Sequence, residues 1–242
     1  MAIQIGNCKV SLETFGNSFK PGGTVEAWVI NLYCRILFLS NHPKTSNRHT
    51  FFHTSSEYFL EKWENESRRL YMKDQAIKAF EGAGKVRKLH LTDSLHFPSL
   101  YNYHWFLFTV DIRDKKFIFM DSLFDKNSDL HQEVDNRMIM NFGRTWSECR
   151  LKDINFQDFE VIYPPVPKQK NGKDCRIHLM KSIELFKPRT SLMGKFSHKD
   201  IPDFRIQMEN EMMFCEHNEM HEIQEAVMTF KPHVHGTYAR MG

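Results

Sequence analysis

The sequence predicts an α+β fold: a mixed central β-sheet docked on a helical half, with a cysteine at the N-terminus of one helix. Three stretches carry that expectation. From residue 24, Thr24, Val25, Trp28, Val29, Leu32, Tyr33, Leu37 and Phe38 fall on one helical stripe. Trp105 to Val110 and Phe117 to Met120 are apolar runs of strand length, joined by the charged turn Asp111 to Lys116, which reads as a hairpin. Beyond Pro164, Pro165 and Pro167, the segment Gln169 to Arg176 leads into a run where Ile177, Met180, Ile183 and Phe186 recur at helical spacing.

Taken in order, residues 1–23 form a separate segment with weak strand character at Ile3, Ile5 and Val10, closing at the loop Pro21-Gly22-Gly23. The helix from residue 24 follows, then a polar connection from Ser40 to Thr50 containing Pro43. A helical stretch through Phe59, Leu60 and Trp63 precedes a helix from Ser67 to Phe80, which Glu81-Gly82-Ala83-Gly84 should end. Strand signals are expected at Val86 and Leu89-His90-Leu91, and then comes the hairpin. Ser128 caps a helix with Leu130, Val134, Met138, Ile139 and Phe142 on one side. Phe156 to Tyr163 reads as a strand. Asn171-Gly172 is a turn and Asp174 an N-cap, which starts the next helix at Cys175. Pro188 to Pro202 reads as loop and Phe204 to His217 as helix, with no order expected after about residue 222. A domain over 24–218 and a tail over 219–242 are thus expected. Neither a repeat nor a long linker interrupts that domain.

Composition narrows the function classes. Lys plus Arg total 33 against 30 Asp plus Glu, a net charge of +3, which is no nucleic-acid signature. No apolar run is long enough for a bilayer, and the first residues lack the build of a signal peptide. Five scattered cysteines without CxxC spacing point to free thiols in a reducing, intracellular setting, nucleus or cytoplasm. Cys215-x-His217 with His221, and His233 or His235 as a fourth ligand, looks superficially like a metal set. The paired short spacings of structural zinc are missing, so neither metal nor cofactor is expected.

The chemistry concentrates at three residues. A cysteine at a helix start faces unpaired backbone N–H groups and the positive end of the helix dipole, both of which favour thiolate. It is equally the kind of small buried residue that anchors a helix in a core. In the hairpin, His104 before the first strand and Asp121 after the second lie at the same open end. Taken alone they are either a tautomer-fixing His–Asp pair or two polar caps.

His104-Trp105, Asp121-Ser122-Leu123 and Gln169-x-Asn171-Gly172-x-Asp174-Cys175, in that order, resemble the ubiquitin-like-protein (SUMO) protease family of cysteine peptidases, relatives of the adenoviral protease. The likeness is greatest to plant, transposon-derived members. Phe51-Phe52, Phe97-Pro98, Val166-Pro167, Phe204-Arg205, Glu211 and Asn218 extend it from about Ser18 to Asn218. The resemblance implies an adenain-like fold and a peptidase cleaving after the C-terminal Gly-Gly of SUMO or another ubiquitin-like modifier, its partner, as a monomer with no membrane or nucleic acid involved. By the same resemblance Cys175 is the nucleophile, His104 the acid–base, Asp121 its orienter and Gln169 an oxyanion donor. Trp105 would roof a narrow tail channel, unless it is a plain core aromatic. Two departures stand out: Arg176 occupies the place of a usual Gly, and Thr24 that of a usual Trp, with Trp28 one turn later. Thr24 and Trp28 are the candidates for the second channel wall. Arg176 opens an alternative, an impaired relative that binds a modifier tail without cutting it.

Overall fold

A computed structural model describes residues 1–41, 47–62 and 64–230. Its centre is a five-stranded mixed sheet ordered β3-β4-β5-β6-β7, built from Arg48–Thr50, Ser94–Tyr101, His104–Asp111, Lys116–Met120 and Glu160–Ile162. The three middle strands are antiparallel, and β3 and β7 run parallel to their neighbours. A small hairpin, β1 (Ile3–Ile5) and β2 (Cys8–Val10), lies at the start of the chain.

Helices cover both faces of the sheet, where one helical half was expected. On one face, α2 (Ala27–Asn41), α6 (Cys175–Leu185) and α7 (Ile201–Met213) pack an aliphatic cluster with Trp105, Leu107, Ile118 and Met120. On the other, α3 (His53–Leu60), α4 (Glu66–Val86) and α5 (Asp129–Glu148) enclose Phe97, Phe106, Phe108, Phe117 and Phe119 among Phe59, Phe80 and Phe142. Alternate residues of β5 thus serve different cores, and all eight are buried. That double burial is why the strand reads as a continuous apolar run rather than an alternating one.

Several elements depart from the sequence expectation. Leu12–Phe19 form a helix, α1, capped by the Ser11 side chain on the Thr14 N–H, within a segment read as weak strand and loop. Helix α4 continues through Gly82 and Gly84 to Val86, because Phe80 and Ala83 remain buried on its inner face and tertiary packing outweighs the glycine penalty. Leu89–Leu91 is a single 3₁₀ turn, and the strand lies further on, at Ser94–Tyr101. Pro98 hid it. β3 pairs only with Ser94 to His96, and the His96 carbonyl still accepts the Phe51 N–H on that side. Two residues later the ladder has ended, so a missing N–H costs little there, and the Pro98 carbonyl takes the Ser56 hydroxyl. The strand read over Phe156 to Tyr163 shortens to Glu160–Ile162 after a 3₁₀ turn at Phe156–Asp158. Helix α7 opens earlier than read, with Pro202 in its first turn, and closes at Met213. His221–Thr229 form a further helix, α8, in the stretch expected to lack order. Pro43, Trp63, His233 and His235 lie outside the described residues.

Candidate active site

A tight turn delivers the imidazole. Asn102 and Tyr103 both adopt left-handed backbone, φ 47° and 62°, in the two-residue connection of β4 to β5, and His104 is the next residue. Asp121 follows β6 immediately, and its carboxylate lies 2.8 and 2.9 Å from the His104 Nε2. The same carboxylate accepts the backbone N–H groups of Leu123 and Phe124 at 2.7 and 2.9 Å, which bends the chain and fixes the acid. Both side chains are buried. With Nε2 committed to Asp121, Nδ1 is the ring nitrogen left for another partner.

The Cys175 sulfur, at the first position of α6, is the further group that interacts with this imidazole. Burial pushes the thiol pKa up, but the His104 hydrogen bond outweighs it, together with the Trp105 backbone N–H and the charges of His104 and Arg176, so the net shift is downward. Burial likewise disfavours the His104 cation, and the hydrogen bonds to Asp121 and Cys175 reverse that, raising its pKa. Asp121 follows the same logic: burial raises it, while the bonds to His104 and His131 and the Leu123 N–H hold it well below the carboxylate range. The three groups favour a thiolate beside an imidazolium.

Asp174 is not the side-chain cap that the sequence suggested. Its carboxylate is drawn instead to Arg205, 2.7 Å away, and to the Asn171 amide at 2.7 Å. Arg205 is buried and also donates to the Ser18 carbonyl at 3.0 Å, tying α7 and the end of α1 to the loop before the cysteine. Asn171 closes that loop by accepting the N–H groups of Lys173 and Asp174.

Gln169 is held between Ser122 and Asn171. Its N–H bonds the Ser122 carbonyl at 2.9 Å, and the Ser122 hydroxyl donates to its Oε1 at 2.6 Å. Nε2 donates to the Asn171 carbonyl at 2.5 Å, which fixes the amide orientation and leaves one amide hydrogen for another acceptor.

The channel candidates divide. Trp105 is fully buried in the aliphatic core, with its Nε1 unpaired, and meets the His53 ring edge-on at 5.6 Å. Trp28 is 60% exposed and also meets the His53 ring edge-on, at 6.3 Å, so the two indoles are linked through an imidazole. Thr24 is exposed and precedes α2. Arg176 is half-buried inside α6 with its Nε unpaired; its φ is not positive, so the helix does not require glycine there. Among the described residues no three His, Cys, Asp or Glu side chains gather as a metal site, and no helix is long and apolar enough to cross a membrane.

Sequence reasoning missed His131, Asp135 and His53. His131 and Asp135 stand four apart on α5, a visible helical pair, but nothing local places them beside Asp121.

Fold and site together define the class, an α+β cysteine-protease fold. A family model of the Ulp1 protease C-terminal catalytic domain matches residues 24–217. Two relatives from Arabidopsis thaliana are ubiquitin-like-specific protease ESD4, 26% identical over 200 residues, 78% of this chain and 38% of that protein, and ubiquitin-like-specific protease 1A, 27% identical over 198 residues, 80% and 37% respectively. The chain spans well under half the length of these relatives. The X-ray structure of the C-terminal Ulp1 protease domain in complex with Smt3, the yeast ortholog of SUMO, superposes with a TM-score of 0.69 at 18% identity, covering 88% of this chain and 86% of that one. This chain belongs to the Ulp1 protease family.

Proposed function

We propose that this chain is a cysteine peptidase that cleaves after the C-terminal glycines of SUMO or another ubiquitin-like modifier. The observation that carries the reading is the interaction of the Cys175 sulfur with the His104 imidazole, which the Asp121 carboxylate holds. The Cys175 thiolate attacks the carbonyl carbon of a peptide or isopeptide bond. The imidazolium of His104 gives its proton to the leaving amine, and the restored imidazole then takes a proton from the water that hydrolyses the thioester. Asp121 holds the ring in register for both transfers. The free amide hydrogen of Gln169 and the Cys175 backbone N–H meet the oxyanion; losing one such donor typically costs about 3 kcal/mol, on the order of a hundredfold in rate. The exposed Trp28, backed by His53 and the buried Trp105, walls the tail channel, where steric exclusion selects residues without a Cβ.

A second reading has its own observation. Arg176 places a cation and a long side chain one residue beyond the nucleophile, with its Nε unpaired. The charge favours the thiolate, and the bulk crowds the oxyanion position. Under this reading the chain holds a modifier tail without cutting it.

SUMO carrying a C-terminal vinyl sulfone separates the two. Covalent capture by the wild type, abolished in Cys175→Ala, is the expected result. Binding without capture means the impaired relative, and neither binding nor capture overturns the modifier assignment.

A further inference from the structure

Asp121 is not the partner of one imidazole but of two. His131, on α5, reaches the carboxylate from the opposite face of the sheet, its Nε2 3.2 Å from Oδ2. The other nitrogen of His131, Nδ1, lies 3.0 Å from Oδ1 of Asp135, whose second oxygen accepts the Tyr163 hydroxyl. The side chain of His131 has no solvent exposure, and those of Asp121 and Asp135 are 3% and 7% exposed. Phe106, Phe119 and Tyr163 wall the ring at centroid distances of 5.5, 5.9 and 5.6 Å. The charged or titratable groups facing it are therefore Asp121 from the end of β6, Asp135 from its own helix, and Tyr163 just beyond β7 behind Asp135.

An ionised carboxylate only accepts hydrogen bonds. An imidazole between two of them satisfies both only when both nitrogens carry protons, as an imidazolium. We propose that His131 is a positioning residue, a buried cation that braces Asp121 from behind and limits how tightly that carboxylate holds the His104 proton. The inference rests on the catalytic reading of Cys175, His104 and Asp121.

Burial opposes the charge on His131, and the hydrogen bonds to Asp121 and Asp135 outweigh it, so its pKa is raised. The consequence for catalysis has a definite sign. With His131 charged, part of the Asp121 field is spent on it, and the His104 imidazolium is less stabilised than beside an unshared carboxylate. The His104 proton is then released to a leaving amine more readily. Without that cation His104 keeps its proton to higher pH, and the alkaline limb of any reaction that uses the thiolate–imidazolium pair moves up.

The test follows ring Cε1–H signals of the intact chain by NMR, with His104 assigned through His104→Ala. In His131→Gln the His104 midpoint should rise by about one pH unit, a tenfold change in its ionisation constant, as expected for loss of one nearby like charge. A folded His131→Gln protein with the His104 midpoint unmoved or lowered overturns the proposal. Should that variant not fold, ring ¹⁵N shifts of the unmutated protein decide: both His131 nitrogens protonated at neutral pH supports it, and one bare nitrogen overturns it. Cys175→Ala separates the underlying reading. Loss of the thiolate should lower the His104 midpoint, and no change there defeats the catalytic pair whatever His131 does.

Discussion

The two faces of the sheet are packed from different materials and serve different ends, and they meet at one carboxylate. One face is aromatic: Phe97 stacks on Phe51 at 4.7 Å and on Phe108 at 5.9 Å, and Phe59, Phe80 and Phe142 crowd around it. The other is largely aliphatic and carries α6, with Cys175 at its start. Asp121 stands where β6 ends and is reached from both, by His104 at the hairpin end and by His131 from α5 on the aromatic side. The comparison teaches that the aromatic face is more than a platform: it supplies the counter-charge of the site.

The hardest way to break that division is to hollow the aromatic face. Phe97→Ala removes a fully buried ring and should cost about 3–5 kcal/mol of unfolding free energy, read by urea titration. The Cys175 and His104 ionisation midpoints of the protein that remains folded should stay in place. A shift in either would mean that the packing of the aromatic face, and not His131 alone, reaches the site.

A smaller effect is expected on the opposite face. Arg176→Gly removes the cation that helps depress the Cys175 thiol and also clears the space beyond it. The Cys175 midpoint should rise by a fraction of a pH unit, while capture by the SUMO vinyl sulfone accelerates severalfold. A slower capture would make the cation an asset and remove the argument for an impaired relative.

Much of this was legible in the chain, for physical reasons that can be named. The hairpin follows from two apolar runs and a charged turn, and its open end brings His104 and Asp121 together by strand geometry alone. The start of α6 follows from the Asn171-Gly172 turn, but the chemistry of Asp174 does not, because its buried partner Arg205 lies on another helix. β4 was hidden by Pro98, acceptable only because β3 stops short of it. α1 was hidden by its brevity and by Gly16 within it. His131 was invisible as a site residue because its role is created by the apposition of a helix and a strand end. Trp28 and Trp105 were both named as channel residues, but the His53 ring that links them belongs to a helix whose interior position no local pattern reveals.

The most direct test of the whole account is the ionisation of Cys175 itself, followed by ultraviolet thiolate absorbance as the difference between the wild type and Cys175→Ser. The hydrogen bond and charge of His104 hold the thiolate, so ionisation should fall below the ordinary cysteine range and return upward when the same difference is taken in a His104→Ala background. A midpoint at the ordinary value, unchanged by removing His104, would mean that sulfur and imidazole do not form a pair.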